Sequence, residues 1–113
     1  MIIATRQLLL TQGRSEVSVP IHLHAPVEGD RCWDCSIEVG WPEGTRQLKV
    51  SAFDSVQALY LALQRIALEL YSSPHHAAGN LRWDKPGSGY GFPMPKVGYE
   101  DLVGEDRIAQ VPD

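Results

Sequence analysis

The sequence has few of the features that would assign it to a membrane, secreted or nucleic-acid-binding class. No apolar run approaches the roughly 20 residues that a membrane-spanning helix needs. The N-terminus, Met1 to Arg6, lacks the basic start, apolar centre and cleavage site of a signal peptide. The basic residues form no patch of the kind found in nucleic-acid binders. We therefore expect a cytoplasmic protein that binds neither membrane nor nucleic acid.

Cysteine is also scarce, with only Cys32 and Cys35 in 113 residues. Their C-x-x-C spacing serves redox chemistry when it opens a helix, because the helix N-terminus lowers the thiol pKa. Here an alternation typical of a strand continues through the motif, which predicts that the two sulfurs point to opposite faces. The favoured interpretation is one buried and one exposed thiol in a reducing compartment.

The net charge of −4 is concentrated at the C-terminus. Residues 100–113 contain five acidic side chains and one arginine, whereas the remaining residues balance nine acidic against nine basic side chains. The apolar signal also fades after Leu102 and Val103. These features predict one domain over residues 1–103 and an acidic, frayed tail over residues 104–113.

One long amphipathic helix is predicted over residues 54–72, and the rest of the chain is organised around it. Asp54 can cap the first turn by accepting from the amide of Gln57, while Phe53 can pack on Ala58 as a hydrophobic staple. The apolar residues recur at spacings of three and four, which predicts a core-facing stripe of Val56, Leu59, Tyr60, Leu63, Ile66, Ala67 and Leu70.

With the stripe placed in this way, Leu61 and Leu68 point away from the core and have Arg65 beside them. Two aligned leucines on an outer helix face suggest that something covers them. The favoured cover is a second copy of the chain, giving a homodimer with Leu61, Arg65 and Leu68 in the interface. The alternative cover is the aromatic loop of residues 90–97.

Alternating apolar and polar residues predict strands on both sides of this helix. Four such segments precede it, at residues 2–10, 15–24, 32–41 and 45–52. Short connecting loops favour an antiparallel meander, so the predicted class is α+β, with a four- to five-stranded sheet and one helix on one face. Residues 79–83 predict a short fifth strand, and residues 84–98, rich in glycine, proline and aromatics, predict an ordered loop that covers apolar surface.

The second and third predicted strands leave one alternative open for a metal site. If they pair as a hairpin, His24 faces Cys32. His22 then faces Asp34 on the same outward face, with neighbouring side chains about 5 Å apart. Two imidazoles, a thiolate and a carboxylate are an acceptable zinc set. The favoured interpretation has no cofactor, because histidines also occur on solvated faces.

Four short motifs of this sequence carry a resemblance to a known family. They are F-D-S-V-Q-A-L at residues 53–59, G-N-L-R-W at 79–83, G-F-P at 91–93 and W-D-C at 33–35. As a set they resemble a family of short bacterial proteins classed as a domain of unknown function. The resemblance covers roughly residues 3–100. It implies no reaction and no catalytic residues.

No catalytic motif is found, since no nucleophile elbow is present and nothing pairs a nucleophile with its base. The sequence therefore predicts a non-enzymatic protein-interaction domain. Two alternatives remain open. Small acidic bacterial α+β proteins of the cytosol are often immunity proteins that neutralise a toxin partner. A metal- or ligand-binding protein would instead use the outward face of the second and third strands.

Overall fold

The computed structural model describes residues 1–94 and 103–104, and within them an open antiparallel sheet is covered on one face by a helix. The elements in chain order are β1 (Ile2–Gln12), β2 (Ser15–His24), β3 (Val27–Glu28), β4 (Trp33–Trp41), β5 (Gly44–Ala52), α1 (Ser55–Tyr71), α2 (Pro74–Ala77) and β6 (Leu81–Arg82). The predicted α+β class and the antiparallel meander are confirmed. Most of the predicted acidic tail and residues 95–98 of the predicted loop lie outside the described residues.

The long strands run in the order β5-β4-β2-β1, and the short strand β6 extends the sheet beyond β1. The β1–β2 hairpin closes through Gly13 and Arg14, because Gln12 pairs with Ser15. Gly13 has a φ of 62°, which suits the first central position of a two-residue hairpin turn and strains any other residue. Local turn chemistry therefore sets the register of this hairpin.

Pro20 limits the pairing between β2 and β4. This ladder spans only Ile21 to Leu23 on β2, although the β1–β2 ladder runs the whole length of β2. A Cβ on Gly40 would lie 2.8 Å from the Pro20 ring, so the ring occupies space that only glycine leaves free. Proline cannot donate to a ladder, and here the ladder stops beside it.

Helix α1 begins and ends where the sequence predicts, within one residue. Asp54 accepts a hydrogen bond from the Gln57 amide at 2.7 Å, and the Gln57 side chain accepts from the Phe53 amide at 2.8 Å. The predicted staple is wrong, because the Phe53 side chain is 89% exposed. Within the described residues, no helix has the length and apolar character needed to cross a membrane.

The helix is rotated relative to the predicted stripe. Its buried residues are Ala58, Ala62, Ile66, Ala67 and Leu70. Val56 and Tyr60, predicted to face the core, are 73% and 54% exposed. The row at spacing four uses two alanines, and their small side chains let the helix backbone lie close to β4 and β5. The sequence pattern placed Val56 and Tyr60 in the core because they are apolar. Close packing of the helix on the sheet instead buries Ala58 and Ala62.

The segment after β6 completes the core over β1 and β2. Tyr90, Phe92 and Met94 are buried, so the predicted covering role of this loop is confirmed up to residue 94. The Arg6 guanidinium lies 3.8 Å from the Trp83 ring and 4.7 Å from the Phe92 ring. It also donates to the carbonyls of residues 90 and 91 at 3.0 and 3.1 Å. A cation on the inner face of β1 thus holds the segment in place.

Candidate interaction surface

The structure does not bring the four residues of the predicted zinc set together. In the β2–β4 ladder His22 pairs with Glu38 and not with Asp34, so the predicted register is wrong by four residues. The reason is the short strand β3, in which Val27 pairs with Asp34 of β4. The prediction had paired this part of β4 with the end of β2. Within the described residues, no group of three or more His, Cys, Asp or Glu side chains is arranged to hold a metal ion.

The two histidines of that set instead have separate polar partners. His24 Nε2 lies 2.5 Å from Glu38 Oε1, and the two side chains are partly buried on the outer face of the sheet. His22 Nδ1 lies 3.1 Å from the hydroxyl of Thr5 on β1. Each imidazole therefore links β2 to a different neighbouring strand.

Cys32 and Cys35 form no redox pair, and Asp34 is a hydrogen-bond partner of Cys32. Asp34 accepts from Ser51 at 2.6 Å and from Cys32 Sγ at 3.6 Å, and the hydrogen bond from Ser51 is the main reason that the pKa of Asp34 is lowered. Cys35 is buried in the core, where burial raises the pKa of its thiol. The two sulfurs lie on opposite sides of the sheet, as predicted. A thiol with a raised pKa stays protonated and behaves as a structural cysteine.

The three residues predicted as a partner interface lie along one flank of α1. Leu61, Arg65 and Glu69 are spaced by four residues, and Glu69 contacts Arg46 of β5, so this flank faces the β5 side of the sheet. Leu68 is 40% exposed. The prediction that Leu61 points directly away from the sheet is wrong, because it is half-buried against the core. The rotation of the helix accounts for this difference.

Strand β5 is the outermost strand beside that flank. All nine of its residues pair with β4 in one unbroken register, from Gly44 opposite Trp41 to Ala52 opposite Trp33. Among the described residues, no strand pairs with its other edge. A long regular edge without bulge or proline is a template for a further strand. We call this edge, together with Leu61, Arg65 and Leu68, the β5-edge surface.

A cleft opens at the end of this surface, where the β4–β5 turn meets the C-terminus of α1. Glu69 closes its inner side, since it accepts from Trp41 Nε1 at 3.2 Å and from Arg46 Nε at 3.0 Å. Arg65 Nη1 lies 3.7 Å from the same carboxylate. The Glu69 side chain is only 11% exposed, so these contacts act in a partly desolvated place.

The outer wall of the cleft is made by His75, whose ring centroid lies 5.0 Å from that of Trp41. His75 Nε2 contacts both carboxylate oxygens of Glu43, at 2.9 and 3.1 Å. This contact is the main reason that the pKa of Glu43 is lowered. These residues and their neighbours line an open space of about 480 Å³. We call it the Trp41–His75 cleft; its walls are Trp41, Glu43, Arg46, Glu69 and His75.

Sequence reasoning missed both the cleft and the exposure of Phe53. The cleft joins residues of β4, β5, α1 and α2 with the β4–β5 turn, and the helical residues follow the strands by more than 20 positions, so no local pattern marks it. Phe53 had a signal, since an aromatic residue stands just before a helix cap, but the prediction assigned it to a staple. Its 89% exposure means that the side chain does not pack on the first turn of α1.

Comparison with known proteins finds one family. A family model described as "Domain of unknown function (DUF6968)" matches residues 4–94. This match confirms the resemblance to a family classed as a domain of unknown function. Neither a curated protein nor a solved structure matches the chain.

Proposed function

We propose that this chain, which belongs to the DUF6968 family, is a non-enzymatic protein-interaction domain that binds its partner through the β5-edge surface. One observation carries the proposal. Within the described residues, the open edge of β5 lies directly beside a partly apolar helix flank, so backbone hydrogen bonds and side-chain contacts are available on one side of the molecule. Recognition by strand addition uses this combination.

The chemistry of the adjoining cleft supports binding more than catalysis. Ser72 and Ser73 also line the cleft, and both bond to the helix backbone: Ser72 Oγ donates to the Leu68 carbonyl at 2.6 Å and Ser73 Oγ to the Leu70 carbonyl at 2.7 Å. The Glu69 carboxylate holds Trp41 and Arg46 in place. A nucleophilic centre needs a hydroxyl or thiol aligned with a base, and these serines are aligned with carbonyls. The cleft therefore offers shape and charge for a partner side chain.

The same proposal extends to the setting of the protein. Two free cysteines, one of them partly exposed, suit a reducing compartment. We therefore place the protein in the bacterial cytoplasm, where its partner is another soluble protein. Recovery of the chain from the cytosolic fraction of fractionated source cells tests this, and recovery from the secreted fraction would contradict it.

Photo-crosslinking in cells that express the protein tests the binding surface. A benzoylphenylalanine placed at position 68 stands on the β5-edge surface, and the same residue placed at position 56 stands on the exposed opposite flank of α1. The proposal expects position 68 to give a covalent adduct with one protein, identified by mass spectrometry. Position 56 is the matched control and gives none.

Two results would contradict the proposal. One is the absence of any adduct specific to position 68 at natural expression levels. The other is the same adduct from both positions, because this would indicate collision and not a defined surface. Leu68→Glu adds a second criterion, since a charge on the flank should abolish the interaction while the folded state is retained.

A further inference from the structure

We infer that the partner of the β5-edge surface is a second copy of this chain, paired through antiparallel β5 strands, with Phe53 of each copy inserted into the Trp41–His75 cleft of the other. The inference rests on the proposed function, and it names the partner and the contact that selects it. It accounts together for an open strand edge, an exposed phenylalanine and a cleft with an aromatic wall.

The register follows from the length of β5. An isologous dimer needs a two-fold axis, and full overlap of two antiparallel Gly44–Ala52 strands puts that axis at the central residue, Leu48. In this register Arg46 faces Val50 of the other copy, and Lys49 faces Gln47. No like charges stand directly opposite one another, which would destabilise the pair.

This register also brings the phenylalanine to the cleft. Phe53 and Glu43 each lie five residues from Leu48, which is roughly 17 Å along a strand. The two-fold axis therefore places Phe53 of one copy opposite Glu43 of the other, at the mouth of the cleft that Glu43, Arg46 and His75 line. Phe53 and the mouth of the Trp41–His75 cleft are equally far from the two-fold axis, as a self-complementary surface requires.

The cleft suits a phenyl ring in both size and chemistry. Its volume of about 480 Å³ admits a ring, and the His75 ring, tilted against the largely buried Trp41 ring, gives it an aromatic wall. The Arg46 guanidinium, held by Glu69 at 3.0 Å, lies at the same place and can contact the face of an inserted ring. Phe53 itself is 89% exposed, so among the described residues its large apolar side chain is free to enter a neighbouring molecule.

The helices also fit this arrangement. Helix α1 packs on both β4 and β5, so its axis lies above the space between these two strands. With strands roughly 4.8 Å apart, that axis is about 5 Å from the two-fold axis beyond β5. The two α1 helices are then roughly 10 Å apart, which is the spacing of packed helices. Their facing flanks carry Leu61, Arg65 and Leu68.

The first experiment measures the oligomeric state of the purified full chain by sedimentation equilibrium and light scattering. We expect a dimer. Phe53→Ala removes the inserted ring and should raise the dimer dissociation constant roughly thirtyfold, the effect of truncating an aromatic hot spot. Val56→Ala is the matched control, since Val56 is similarly exposed, lies close in sequence and stands outside the proposed interface. It should leave the constant unchanged.

The second experiment tests the register. Glu43→Cys and Phe53→Cys are combined in a Cys32→Ser background and oxidised. Within one chain positions 43 and 53 stand roughly 30 Å apart at the two ends of β5, so an intramolecular disulfide is excluded. The inferred dimer puts them opposite each other and should give a covalent dimer joined by two disulfides. Either cysteine alone should leave the chain monomeric on a denaturing gel.

The outcomes separate this inference from the proposed function. A chain that is monomeric at high micromolar concentration, or a dimer that Phe53→Ala leaves intact, overturns the inference. An adduct from position 68 with a different protein would then uphold the proposed function alone. An adduct with a second copy, together with the double disulfide, supports both. The far-ultraviolet circular dichroism of Phe53→Ala should equal that of the wild type, because the ring makes no core contact.

Discussion

Trp41 and Glu69 are joined by a hydrogen bond of 3.2 Å from the indole Nε1 to a carboxylate oxygen, and this bond ties the end of β4 to the last turns of α1. Both side chains are largely buried, with Trp41 only 7% exposed. The bond fixes where the helix ends relative to the β4–β5 turn. It also shapes the inner wall of the Trp41–His75 cleft.

Removing the Glu69 carboxylate should destabilise the fold. Glu69→Ala leaves the Trp41 donor and the Arg46 guanidinium without this acceptor, and a lost partner of a buried donor costs about 1–3 kcal/mol. Thermal unfolding should show a melting temperature several degrees lower. Glu43→Ala is the control, because the Glu43 side chain is exposed and its loss should cost about 1 kcal/mol or less. Equal effects of the two substitutions would contradict this role for Glu69.

Enlarging Ala62 should destabilise the packing of α1 on the sheet. Ala62 is fully buried, so Ala62→Leu forces the helix away from the strands at a cost of about 1–3 kcal/mol in the free energy of unfolding. Val56→Leu, on the exposed flank, should change it by less than about 0.5 kcal/mol. Chemical denaturation measures both. If Val56→Leu were the more harmful change, the rotation of the helix described above would be incorrect.

Gly91 and Gly87 provide a matched pair for testing the close packing on Trp83. Both glycines have a φ of 78°, so alanine should meet a similar backbone strain, about 1–2 kcal/mol, at either position. A Cβ at position 91 would also lie 2.4 Å from the Trp83 ring, whereas a Cβ at position 87 meets no described residue within 4 Å. Gly91→Ala should therefore lower the unfolding free energy more than Gly87→Ala. The Trp83 fluorescence should change only in Gly91→Ala.

Acidification should weaken the protein through His76. Its Nδ1 lies 2.6 Å from the Tyr90 hydroxyl, and burial lowers the pKa of His76 below its ordinary value of 6.5. Between these two pKa values the unfolded chain binds more protons than the native chain, so stability rises with pH. The contribution of His76 to the free energy of unfolding is complete above about pH 6.5. It is lost as the pH falls from there through the lowered pKa of the folded state.

His76→Gln keeps a polar partner for Tyr90 and removes the titration. Below about pH 7, the unfolding free energy of this variant should depend less on pH than that of the wild type. Asp34 and Glu43 also have lowered pKa values, but their contributions are lost only at lower pH, near and below their ordinary values of 3.8 and 4.5. An unchanged pH dependence in His76→Gln would contradict the assignment.

Metal analysis decides the zinc alternative. We expect protein purified without a histidine tag to contain no stoichiometric zinc, because His22 and His24 contact Thr5 and Glu38 in place of the predicted ligands. Elemental analysis of the dialysed protein measures this. Stoichiometric zinc that is lost on His22→Ala would reinstate a metal site on the outer face of β2 and β4.

Local patterns determined much of this fold. Alternation placed the strands within a few residues, and the cap formed by Asp54 and Gln57 fixed the start of α1, because these signals involve residues adjacent in the chain. The aromatic residues among the glycines after β6 likewise predicted a segment that covers the core. Cys35 was predicted on one face and Cys32 on the other from the period of a strand alone.

Contacts between distant segments decided the rest. The register of β2 with β4 depended on β3, a strand of two residues that has no pattern of its own. The rotation of α1 depended on how closely Ala58 and Ala62 can approach the sheet, and hydrophobicity alone cannot rank an alanine above an exposed valine. Glu69 meets Trp41 and Arg46 only because the helix returns antiparallel over β5. Periodicity shows which residues are apolar, whereas packing decides which of them are buried. The packing of α1 therefore placed Leu61, Arg65 and Leu68 on the flank beside the β5 edge.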